Sequence, residues 1–347
     1  AGHSRFVIWQ PAWELFLQHP WRGIGLDTYF MAIPPLLHPR DHSAHFYVHN
    51  DYLQLALETG LPGLLLLLGI YGVVLTLLVR VLARVPRGDP RRTALLGLFA
   101  ALFAFALHSA FTFNFYVMPS MLLAGLLLGR LHTLGDVLAG QAPRVLDLST
   151  RLRPWLYYML LLLAMLLPAG YFASLGLGHA ALVEGRRLLA EGRLPQAHLA
   201  LLRAQRLTPL VDSPWFLDAD LLRRSAELVG DHPCRAAGLL DEAEEKVRAA
   251  LRRNPLRPQS WYILGKITGA RQPLDTARQQ ELYREALRRD PRFVPARLAL
   301  ARLLLRDEQT EAAYTVLAAG LDYAYRRVTP TLLEYVELSM TTAGKLG

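Results

Sequence analysis

Four runs of apolar residues, each about 20 long, rule out an ordinary soluble fold for this chain. They fall at 61–82, 94–113, 117–134 and 155–175. Wound as helices, such runs cross the hydrocarbon of a bilayer, where every backbone N–H and C=O has to find its partner inside its own segment. Beyond them the pattern changes. From 177 to 347 the sequence is rich in arginine, glutamate and alanine, and its leucines recur at helical spacing. The expected fold class is all-α, with multi-pass transmembrane helices followed by an extramembrane α-solenoid. Its expected parts are a loop region over 1–52, a transmembrane region of about four spans over 53–176, and a repeat domain over 177–347. A chain that is 52% hydrophobic, with a mean hydropathy of +0.21, suits that two-part design.

Arginine sets the orientation, because short loops rich in positive charge stay cytoplasmic. Arg80, Arg84, Arg87, Arg91 and Arg92 follow the first run, and Arg130, Arg144, Arg151 and Arg153 lie around the connection from the third to the fourth. The hairpin Phe113-Asn114-Phe115-Tyr116 carries no charge, and its aromatics suit a membrane interface. Residues 1–52, this hairpin and the C-terminal domain are therefore expected outside, on the periplasmic side of the inner membrane in a Gram-negative cell. The formal net charge of +9 is read as topology and solvated helix faces. No basic, aromatic-interleaved module is visible, so the expected partner is the lipid bilayer and not a nucleic acid. Cys234, the only cysteine, excludes an intrachain disulfide and a CxxC site. The chain opens at Ala1 without a charged n-region, so no signal peptide is read, and it is taken as the C-terminal portion of a longer membrane protein.

Nine residues separate His49-Asn50 from Gly60-Leu61-Pro62-Gly63, which opens the first apolar run. An imidazole changes charge near neutral pH and can take a proton from a hydroxyl, so at a membrane surface it points to chemistry on a lipid-borne substrate. Asn50 is suited to cap the following helix or to bond the histidine. Gly60 and Gly63 are expected to let that helix pack closely against another, with Pro62 opening the span. Upstream, Arg5 precedes an amphipathic stretch with Ile8, Trp9, Trp13, Leu15 and Phe16, fitted to lie along the headgroup layer. Gly23-Ile24-Gly25 reads as a simple tight turn in preference to a phosphate loop. His42, His45 and His49 are spaced to share a helical face that would hold zinc, but Pro39 precedes them, and loop histidines without a metal are the preferred reading. Glu14 has nothing to fix its distance from His49, and His108 and Asn114 read as packing or interface groups.

In the C-terminal part, Gly192, Ala197, Leu201, Ala204 and Pro209 fall at the spacing of one repeat helix. Trp261, Leu264 and Gly265 supply a first helix and Tyr283, Ala286 and Pro291 its partner, with a further pair marked by Leu300, Ala301, Ala312 and Leu317. These stretches resemble degenerate tetratricopeptide repeats, about three of which suffice to hide their apolar faces by stacking. Such a solenoid implies a protein or peptide partner.

The order Arg5, Trp9, Pro20, Gly23-Ile24-Gly25, Phe30, His49-Asn50 and Gly60-x-x-Gly63 resembles the C-terminal half of the O-antigen ligase and polymerase family, and Asn114 fits its pattern too. The resemblance covers roughly residues 4–135 and implies a membrane glycosyltransferase. Its donor would be an undecaprenyl-diphosphate-linked glycan, with inversion at the anomeric carbon and without metal, nucleotide or other cofactor. Further helices and a further loop arginine would lie upstream, so the site in this stretch is expected to be incomplete. Physics makes the motif intelligible: a guanidinium fork grips diphosphate oxygens, which casts Arg5 as the leaving-group cation and His49 as the base. Arg22 and Arg40 are secondary diphosphate contacts in this reading, with headgroup anchoring the preferred alternative for each, and Asn50 a substrate contact. The acceptor is a growing glycan, lipid A core or a protein side chain, with polymerase favoured. The rival from another class is a non-catalytic, membrane-anchored repeat scaffold for envelope assembly, which leaves the Arg5-to-Gly63 pattern without a reason.

Overall fold

The computed structural model describes residues 5–39, 46–138, 153–325 and 327–345. Arg40, His42 and His45, and with them the zinc reading, lie outside the described residues. Among those described, the regular elements are all helical. The chain divides into two compact units, 1–38 with 43–147 and 39–42 with 148–347.

In the first unit, α1 (Phe6–Gln18) buries Ile8, Ala12, Leu15 and Phe16 and leaves Phe6, Trp13 and Leu17 exposed, so both of its faces are largely apolar. Its buried side packs with Tyr29 of the one-turn helix α2 (Tyr29–Ala32) and with Ile33, Val48, Ala56 and Leu57. Helix α3 (Asp51–Arg84) bends at Gly60, whose φ of 71° and ψ of −173° lie outside the helical region and set a short piece, 51–59, ahead of a membrane-length one. Asp89 caps α4 (Pro90–Ser109) by accepting from the Arg91 amide at 2.8 Å, with proline in the first helical turn. A hairpin then leads to α5 (Met118–Leu138), and Leu78, Leu95 and Leu131 bind α3, α4 and α5 into one small core. Outward-facing Leu66, Val73, Leu122 and Leu126 are each at least 63% exposed, a surface for lipid and not for water.

Three helices among the described residues are long and apolar enough to cross a membrane, in Asp51–Arg80, Pro90–Ser109 and Pro154–Ala190. The sequence reading expected about four. Helix α5 has the length, but Arg130 and His132 interrupt its apolar run.

The second unit begins with α6 (Pro154–Ala190), 37 residues long. Its first half presents leucines to the outside, while Gly178, Ala181, Leu182, Gly185 and Leu188 are buried in the second half. That half packs against α7 (Leu194–Leu207), and already at Ser174 the hydroxyl donates to the Leu207 carbonyl at 2.6 Å. The pairs α8 (Ser213–Leu228) with α9 (Pro233–Arg253), α10 (Pro258–Arg271) with α11 (Thr276–Arg289), and α12 (Val294–Arg306) with α13 (Thr310–Ala318) follow, and α14 (Pro330–Gly344) ends the stack. This is a tetratricopeptide-like solenoid. Its small-against-large packing is visible at Gly265, where an added Cβ would come within 3.0 Å of the Tyr283 ring. Ala197, Ala204, Ala286 and Ala301 are fully buried at the positions the repeat spacing picks out.

Candidate functional site

His49 sits in a segment held at both backbone faces. The Trp9 indole donates to the Val48 carbonyl at 3.1 Å, and the Val48 amide donates to Gln54 Oε1 at 3.0 Å. The chain then turns through His49 at φ 58°, a left-handed conformation in which histidine and asparagine are enriched among non-glycine residues. Asn50 Oδ1 accepts from the Leu53 amide at 3.1 Å, so of its two expected partners the helix is the one it bonds. The His49 ring meets Phe113 edge-on, with centroids 5.3 Å apart, and makes no hydrogen bond to the described residues.

Arg5 comes to the same place from α1. Its guanidinium lies 5.9 Å from the centre of the Phe111 ring, which also packs on Trp9 at 6.4 Å. Burial lowers the His49 pKa below the ordinary histidine value, and the positive charge of Arg5 lowers it further. An imidazole whose pKa is lowered, with no hydrogen bond to the described residues and in the field of an exposed guanidinium, has the chemistry a base beside an anion-binding group would need. Arg22 is exposed on the loop after α1.

The floor of the site is a buried polar network that the sequence reading missed. Glu58, 1% exposed, accepts from the Asp27 amide at 2.8 Å, from the Tyr116 hydroxyl at 2.6 Å and from Gln54 Nε2 at 3.2 Å. Burial and the Glu58 carboxylate together push the Tyr116 pKa up, which keeps the phenol protonated as donor. Asp51, fully buried, accepts from the Phe115 amide at 3.2 Å. The short piece 51–59 therefore ties the loop around Asp27, the segment around Val48 and the hairpin at 113–116 to one scaffold. A glutamate four residues after a glutamine, on an otherwise apolar stretch next to a span, was the signal available.

Gly60 and Gly63 do a different job from the one expected. Gly60 faces not a neighbouring helix but the Trp21 carbonyl, which an added Cβ would approach within 3.0 Å, while the Leu61 amide donates to Pro20 O at 2.8 Å. Gly63 leaves room for the Thr59 side chain, folded back at the bend. Gly23, at φ 63°, reciprocally touches the backbone of Glu58 and Thr59. The turn reading of Gly23-Ile24-Gly25 holds, since the Ile24 and Gly25 amides donate to the carbonyls of Leu57 and Glu58 at 3.0 and 2.9 Å. Those amides cap the end of a helix, which leaves neither for a phosphate.

Residues 2–68 match the family model described as O-Antigen ligase. No curated protein matches the chain. Among solved structures, a thermophilic TPR protein of Thermus thermophilus is 18% identical over 49% of this chain and 83% of its own, with a TM-score of 0.38. PilF of Pseudomonas aeruginosa is 17% identical over 50% and 90%, at 0.28, and yeast Tom70 is 12% identical over 97% and 72%, at 0.35. The matched stretch runs from α1 through the bend of α3 and holds Arg5, His49, Asn50, Gly60 and Gly63. Residues 2–68 are thus similar to the O-antigen ligase family over that stretch alone, in an all-helical chain whose described residues include three membrane-length helices and a stack of helix pairs.

Proposed function

We propose that the first unit transfers a glycan from an undecaprenyl-diphosphate carrier on the periplasmic face of the inner membrane, with a growing glycan as acceptor. The observation that carries this is the pairing of His49, its pKa lowered and its ring without a hydrogen bond to the described residues, with Arg5 on one aromatic ledge. The acceptor hydroxyl gives its proton to His49 as its oxygen bonds the anomeric carbon. The bond from that carbon to the diphosphate breaks from the opposite face, and Arg5 takes up the charge on the departing diphosphate. Asn50 keeps its amide N–H groups for the substrate once Oδ1 has capped the helix, and Arg22 and Arg40 are outer diphosphate contacts. Glycan, lipid A core and protein acceptors are separated by deleting the gene: single-repeat glycan, bare core or unmodified protein is the respective outcome, and single-repeat glycan is expected.

Arg5→Lys keeps the charge and loses the planar fork, so turnover is expected to fall by about ten- to a hundredfold, the worth of one charge-assisted hydrogen bond. Near-normal transfer in glycan assays would remove the diphosphate role. The acid limb of kcat/KM is expected below about pH 6.5, because the imidazole stays neutral under conditions that protonate an ordinary histidine. The same shift gives a stability term of definite sign. As pH falls through the unfolded-state value the unfolded chain takes up this proton first, so His49 disfavours the fold there and is neutral above it. An acid limb above pH 6.5 would argue against His49 as the base.

A further inference from the structure

The solenoid holds a cavity of about 590 Å³ formed by α10, α11, α12 and α14. Lys266 lines it, half-buried, and its ammonium has no ion-pair or hydrogen-bond partner among the described residues. Arg302 and Arg306 stand on the same wall. Arg302 is engaged by Glu334 across the cavity, and Arg306 reaches the Pro273 carbonyl at 3.4 Å and Asp307 at 3.7 Å. A cation taken part-way out of water without a counter-charge favours an anionic ligand.

The remaining lining narrows the ligand class. Gln279 is the amide side chain of the described lining, and its nitrogen is turned to the chain's own carbonyls of Gln272 and Asp275, at 3.5 and 3.3 Å. No free amide N–H is left in the described lining. Tyr262, packed against Tyr283 and Phe293, offers an aromatic wall, and Glu334 offers carboxylate oxygens that accept from hydroxyls. Aromatic wall, hydroxyl acceptor and uncompensated ammonium together match a sugar ring bearing a carboxylate.

We propose that this cavity binds the carboxylated sugars of an acidic glycan, with the sugar carboxylate on Lys266. This rests on the glycan-transfer reading and names the class of glycan the protein handles. Saturation-transfer NMR on the whole chain in nanodiscs tests it, with tri-galacturonate as probe, maltotriose as the neutral comparison and triglutamate as the acidic-peptide comparison. Tri-galacturonate is expected to bind, to weaken as salt is added, to lose about tenfold or more in affinity in Lys266→Met, and to recover in Lys266→Arg. Equal binding by maltotriose, tighter binding by triglutamate, or wild-type affinity in a folded Lys266→Met chain would overturn it. Binding is read without turnover, so the two readings fail separately. A chain that transfers glycan yet does not bind tri-galacturonate loses only the cavity proposal. One that binds tri-galacturonate through Lys266 while His49→Ala still transfers loses only the catalytic proposal.

Discussion

Replacing His49 with alanine or with asparagine is expected to lower glycan transfer by about 10²- to 10⁴-fold, the contribution of a positioned general base. The two variants do different things to the backbone. Asparagine tolerates the left-handed conformation at φ 58° at least as well as histidine, whereas alanine does not favour it, so His49→Asn separates loss of the imidazole from loss of the turn. The ring forms no hydrogen bond to the described residues, and the ring contact its removal costs among them is the one with Phe113. Surface glycan read on a gel, with the variant's membrane level as control, decides the matter. Normal glycan chains in both variants would remove His49 from the mechanism.

Gly60→Ala is expected to abolish the site without touching a catalytic side chain. The φ and ψ at this position belong to a region open essentially to glycine, where another residue costs about 1–3 kcal/mol of backbone strain. The added Cβ also runs into the Trp21 carbonyl, a backbone atom held by the neighbouring bond from Leu61 N to Pro20 O. Relief requires the loop after α1 to come off the helix end, and that frees the Gly25 and Asp27 amides from Glu58. Gly23→Ala meets the same obstacle from the other side. Gly69→Ala and Gly72→Ala, where a Cβ would find nothing within 4 Å, should be silent. Limited proteolysis in the 19–28 loop and glycan transfer are the measurements; a protected loop and normal transfer in Gly60→Ala would contradict this account.

What was legible in the sequence was what repeats or stands alone. The leucine runs announce spans, and the spacing of Gly265 and Tyr283 announces a stacked helix pair because both follow a local period. The His49-Asn50 pair and Arg5 are legible as titratable and cationic groups beside a span. What was not legible depends on partners distant in the chain. Glu58 reads as one more helix charge until the Asp27 amide and the Tyr116 hydroxyl converge on it from 31 and 58 residues away. Gly60 reads as a small residue for helix packing until the Trp21 carbonyl arrives beside it. In α5 the leucines fill the length of a span, while Arg130 and His132 near its end lower its apolar character.

The continuity of α6 has a mechanical consequence. At 1.5 Å per residue its 37 residues make a rod about 55 Å long, of which roughly 30 Å suffices for the hydrocarbon. The rest is already a stave of the solenoid, fastened from Ser174 onward, and the helix runs unbroken past Pro168. Whatever fixes the roll of that rod in the lipid therefore fixes the compass bearing of the cavity around Lys266. Each residue added to or taken from the rod would turn that bearing by about 100°.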